Sequence, residues 1–164
     1  MSTTVEAAQR EAVATWLADS LSRPADARKQ WSDFHLAVLA LGGRFSAVRL
    51  ADDLVYAVAA AAGPVTASEA LRRLRGPVIH DIQGRRFYAL VPSSPPPPSL
   101  GPYAAHLGLG HFVGVPRVGD NEPGEHLAGY WAVPMSTPGA LCDPIRLAEL
   151  IEAGTTVLGM EATA

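Results

Sequence analysis

The chain has 164 residues, 48 % of them apolar and 18 % charged, with a formal net charge of −3. That length suits one domain with a buried core, and the acidic balance excludes a protein held on polyanions by overall charge. No apolar run nears the roughly 20 residues that span a bilayer, the first ten residues lack signal-peptide order, and one cysteine (Cys142) excludes an internal disulfide or a multi-cysteine metal site. The expectation is a cytoplasmic globular domain that does not enter membranes.

Apolar positions Val5, Ala8, Ala12, Val13, Trp16 and Leu17 recur at three- and four-residue steps, which predicts a helix from Thr4 to Leu21. Ser22 as N-cap and Pro24 in the first turn start a second helix. Its stripe of Ala27, Trp31, Phe34, His35, Val38 and Leu41 runs to Gly42 and Gly43, which supply a stop. Residues 1–42 thus form an N-terminal helical pair packed on the α+β core of 43–164. From Arg44 to Leu50 the alternation predicts a strand. Asp52 and Asp53 then cap a short helix, Leu54 to Ala62, and Thr66 with Glu69 has capping-box spacing for another, ending at Arg75.

Pro77–Asp81 and Arg86–Val91 predict a hairpin about Gln83-Gly84. Ser93-Ser94 and the prolines Pro95–Pro98 make a loop over 93–98, extended because consecutive prolines cannot join a sheet. Short strands follow at His111–Val115 and Tyr130–Val133. Asp143 and Pro144 start a last helix to about Ala153. The order predicts an α+β fold, with a mostly antiparallel sheet covered by helices.

No GxGxxG, Walker A, HExxH, GxSxG or CxxC motif occurs, so no marked catalytic, cofactor or metal residues emerge. The histidines His35, His80, His106, His111 and His126 match no metal-ligand spacing. His80-Asp81 has the chemistry of an oriented general base, but neighbours in a strand point to opposite faces. Arginine supplies all the basic residues except Lys29, a bias that discounts arginine richness alone as a phosphate signal. Clustering is more informative. Arg72, Arg73 and Arg75 end one helix, where the macrodipole favours cations. Arg85 and Arg86 sit in the hairpin, and guanidinium forks grip phosphate bidentately.

The segments GPVIHDIQGRRFYALVP, HLGLGHFVGVP and YWAVP, in that order, resemble the N-terminal prim-pol domain of actinobacterial and phage bifunctional DNA primase/polymerases, over roughly Gly43 to Pro134. The resemblance implies a scaffold for two-metal nucleotidyl transfer, which needs clustered carboxylates and a hairpin histidine. Here Val48 and Arg49 stand where the first acids are expected, Arg86 where the histidine is expected, and Ala105 or His106 where the last acid falls. Asp52 and Asp53 are the substitutes available after a small shift.

The implied protein is a degenerate, non-catalytic prim-pol-like binding domain, an accessory in DNA replication or transfer. Its anion contacts would be Arg49, Arg72, Arg73, Arg75, Arg85 and Arg86, and its partner a nucleotide or nucleic acid. Two alternatives remain open. One is a protein-interaction or homodimeric assembly subunit built on the N-terminal helices. The other is a small metal-dependent enzyme using His80, Asp81, Asp52 and Asp53.

Overall fold

In the computed structural model, residues 2–94 and 99–163 are described, so the polyproline expectation for Pro95–Pro98 lies outside the described residues. In chain order the elements are α1 (Ser2–Ala18), α2 (Pro24–Phe34), β1 (Leu36–Ala40), β2 (Ser46–Ala51), α3 (Asp52–Ala59) and α4 (Pro64–Leu71) with a 3-10 turn over Arg72–Leu74. Then come β3 (Val78–Asp81), β4 (Arg86–Val91), β5 (Ala104–Leu107), β6 (Phe112–Pro116), β7 (Gly129–Val133) and α5 (Pro144–Thr163). The fold is α+β with antiparallel sheets: a five-stranded sheet in the order β5-β2-β4-β3-β7 and a separate pair β1-β6.

Strand alternation sends side chains to two cores. On one face Ala47, Ile79, Leu90 and Trp131 meet Val13 and Leu17 of α1, Trp31 of α2, and the inner residues Ala37, Leu39, Val113 and Val115 of β1 and β6. On the other, Val48, Leu50, Val78, Phe87, Ala89 and Tyr130 meet Leu54 and Val55 of α3, Leu71 of α4, and Leu147, Leu150 and Ile151 of α5. Among the described residues no single helix is long and apolar enough to cross a membrane; α3 and the α4 segment are so only together, and they are bent by 81°.

Several local expectations are corrected. The second helix stops at Phe34, because His35 turns left-handed with its N–H on the Trp31 carbonyl. Residues 36–40 then form β1, whose alternation of Ala37 and Leu39 against Val38 serves a sheet. Gly42 and Gly43 therefore lie between two strands. The N-cap of α2 is Arg23, with Pro24 first in the helix, so Ser22 does not cap it. Gly63, not Thr66, is the N-cap of α4, and the Thr66 hydroxyl donates to the Gly63 carbonyl, so there is no capping box. Asp143 does cap α5, accepting from the Ile145 N–H at 2.9 Å, but that helix runs on to Thr163.

Gly154 shows how closely α5 lies on α3: a Cβ there would stand 2.7 Å from Leu54 Cδ1 and 2.8 Å from the Leu54 carbonyl oxygen. Helix propensity alone would make Gly154→Ala stabilising by up to about 1 kcal/mol. The clash reverses the sign. Urea unfolding should find Gly154→Ala less stable than the parent chain, and Gly154→Val less stable by about 1–3 kcal/mol.

Candidate anion-binding cleft

Three of the six candidate arginines share one cleft. In the β2–β4 ladder Arg49 lies opposite Tyr88 and Ala51 opposite Arg86. Arg49 and Arg86 are therefore diagonal neighbours on one face, a relation that sets residues roughly 7–8 Å apart. Arg49 is half-buried, because β5 flanks it on the other side with Ala105 in register. Arg85 precedes β4 in the hairpin turn with φ 57°, and its carbonyl accepts the Asp52 N–H at 3.0 Å, tying the turn to the start of α3.

The cleft holds about 220 Å³ and is walled by Arg49, Arg85 and Arg86 on one side and by Pro102, Tyr103, Ala104 and Ala105 on the other. The second wall is held by the Ala51 N–H donating to the Tyr103 carbonyl at 2.9 Å. Among the described residues, no ion pair within 4 Å ties any of these three guanidinium groups. Guanidinium forks around a small hollow have the chemistry to grip an oxyanion.

Arg72, Arg73 and Arg75 are exposed but belong elsewhere. They precede β3, whereas Arg85 and Arg86 follow it, so the four residues of that strand stand between the groups, roughly 10 Å of rise. Arg75 is in the left-handed region at φ 60° and ends the 3-10 turn, and Leu74 beside it accepts the Asp143 N–H. The six arginines are two groups, one lining a cleft and one at a helix end.

The acids and histidines give a different picture from the enzyme alternative. Asp52 and Asp53 occupy the first turn of α3, and its N-cap residue is Ala51. Burial, with Asp53 adding repulsion, raises the Asp52 pKa above its usual value, while Arg85 pulls the other way. Asp81 accepts the Gly84 N–H at 3.0 Å and so shapes the hairpin turn. His80 points into the second core, where its ring stacks on Phe87 at 4.0 Å between centroids and its Nδ1 lies 2.8 Å from the Tyr130 hydroxyl. His106 pairs with Val48 and faces away from the cleft, towards Ser46, Ser94 and His111. Among the described residues, no group of three or more His, Cys, Asp or Glu side chains gathers to hold a metal.

Cys142 is buried, its thiol donating to the Pro77 carbonyl at 3.3 Å, and burial pushes its pKa up to about 12, so it stays a protonated thiol. Of the aromatic residues on the strands, Phe87, Tyr130 and Trp131 fill the cores, while Phe112 is exposed. The wall formed by Tyr103 and β5 was not visible in the sequence. Its four strand residues are all half-buried and carry no clear alternation.

No family model, no curated protein and no solved structure matches the chain. The prim-pol resemblance is therefore carried by the strand motifs alone. Of the positions that the resemblance assigns to metal-site residues, Arg49, Arg86 and Ala105 line this cleft, whereas Val48 and His106, the alternative to Ala105, do not.

Burial lowers the His80 pKa from 6.5 to about 4, with Asp81 opposing. The unfolded chain takes up this proton below about 6.5, the folded chain only below about 4. The stability that His80 contributes is thus complete above pH 6.5 and falls as the pH drops towards 4, by on the order of 3 kcal/mol across the window. Urea titrations at pH 7 and pH 5 should show about 2 kcal/mol of this loss in the parent chain and a much smaller one in His80→Phe. Equal slopes would contradict it.

Proposed function

We propose that the chain is a non-catalytic, prim-pol-like binding module that holds a phosphate group of a nucleotide or nucleic acid in the cleft of Arg49, Arg85 and Arg86. The observation that carries this reading is the convergence of three guanidinium groups on one hollow with no ion-pair partner among the described residues. Phosphate suits them because the planar fork donates two parallel hydrogen bonds to adjacent oxygens. The net charge of −3 confines attraction to this spot, so the ligand meets a local contact and not a broad basic face.

The scaffold that the motifs resemble carries out chemistry through divalent ions, and such ions need carboxylates around them. Arg49 stands where one of those carboxylates is expected and Arg86 where the hairpin histidine is expected, and both would repel the ions while attracting the phosphate. Binding without turnover follows from that exchange of charge.

The test is fluorescence titration of a short labelled single-stranded DNA over a range of salt, with deoxynucleotide competitors. Each phosphate contact should contribute about 0.7 to the slope of log affinity against log salt. Arg85→Ala combined with Arg86→Ala should lower affinity at least tenfold and reduce the slope by about 1.4. Arg72→Ala combined with Arg73→Ala should leave both nearly unchanged. Binding that ignores the first pair, or follows the second, would overturn the reading.

A further inference from the structure

On the sheet face opposite the arginine cleft, β2 and β5 carry a second pair of hollows. Ser46 and Val48 share that face of β2, and His106 of β5 lies opposite Val48. A throat of about 190 Å³ is lined by Val48, Val91, Leu100 and Leu147. It shares Ser94 and His106 with a wider polar hollow of about 490 Å³, which also takes in Ser46 and His111. His106 therefore stands where an apolar space meets a polar one.

The polar end holds hydrogen-bonding groups with nothing to bond. Ser46 is 1 % exposed, yet its hydroxyl has no hydrogen-bond partner among the described residues, and it lines the polar hollow. Buried polar groups are normally paired, so an unpaired one facing a cavity marks a place for a ligand atom. The side chains of Ser94, His106 and His111 are likewise without a hydrogen bond among the described residues, whereas the Ser93 hydroxyl donates to the Gly42 carbonyl. Gly108 leaves room between two of the free groups. A Cβ there would lie 3.7 Å from His106 Nδ1 and 3.8 Å from Ser46 Oγ, so a ligand atom in that gap reaches both.

We propose that these joined hollows bind a small carboxylic acid, its carboxylate at Ser46 and His106 and its apolar body in the throat. Two features choose the head group. Ser46, Ser94, His106 and His111 each offer a donor, and a carboxylate only accepts, at about four lone-pair sites. No Asp or Glu lines either hollow to repel it. Size chooses the body. An apolar cavity of about 150 Å³ holds a benzene ring, so the throat suits a single ring or a chain of about six carbons. No Lys or Arg lines the site, so hydrogen bonds and burial alone hold the acid, with dissociation constants of about 0.1–1 mM.

The test is a titration of the isotope-labelled full chain with phenylacetate up to about 10 mM, read by two-dimensional NMR. The ring signals of His106 and His111 should shift and saturate, while the Nε–Hε signals of Arg49, Arg85 and Arg86 stay in place. Acetate lacks the body and 2-phenylethanol lacks the carboxylate, and each should bind at least tenfold more weakly. Ser46→Ala should weaken phenylacetate at least tenfold. Ala148→Phe, which fills the throat from an exposed position on α5, should do the same without altering the core. Circular dichroism checks the fold of both variants. Absence of saturation at His106 overturns the proposal, as do shifts at the arginines. So does acetate or 2-phenylethanol binding as tightly as phenylacetate, or an affinity that either folded variant leaves unchanged.

Discussion

The antiparallel register of β2 on β4 is the constraint from which the cleft follows. With Arg49 opposite Tyr88 and Ala51 opposite Arg86, the two arginines must share a face. The same register sends Val48 and Leu50 to the other side, onto Phe87 and Ala89 in the second core. A slip of one residue would turn Arg49 into that core and bring Val48 and Leu50 out, at a cost of several buried aliphatic side chains at about 1.5–3 kcal/mol each. The hydrophobic core therefore enforces the placement of the charges.

The helices add a second restraint at the mouth of the cleft. Asp52 donates its N–H to the Arg85 carbonyl, which fixes the hairpin turn against the start of α3. The helix itself is held by Leu54 and Val55 beneath it and by the close approach of α5 at Gly154. Next to this, Phe87, His80 and Tyr130 form a row of rings across β4, β3 and β7. His80 is neutral at physiological pH because protonation would place a charge among those rings. What resembled a catalytic dyad in the sequence is a buried packing group beside a turn-forming aspartate.

Much of this was legible before the structure. The Arg86–Val91 hairpin strand, the strand after Arg44 and the Asp143–Pro144 start of α5 follow from alternation, turn residues and capping chemistry, and all three are present. The parity of Arg49 and Arg86 was implicit in that pattern, but their convergence needed the strand order. Other features were hidden for physical reasons. The run from Leu36 to Ala40 continues a helical stripe in the sequence, and only the left-handed turn at His35 and pairing with β6, more than seventy residues away, make it a strand. The stripe's exposed members, Phe34 and Val38, are misfits in a helical core. Arg72, Arg73 and Arg75 looked like part of one cluster because sequence distance does not reveal that a strand separates them from Arg85.

Charge placement in this cleft is what separates a binding module from a metal-dependent enzyme, and it is open to direct observation. In a two-dimensional NMR titration of the arginine side-chain Nε–Hε groups with a deoxynucleoside monophosphate, saturable shifts are expected at Arg49, Arg85 and Arg86. Arg72, Arg73 and Arg75 should remain in place. Equal shifts in both groups, or shifts only when a divalent ion is added, would contradict it.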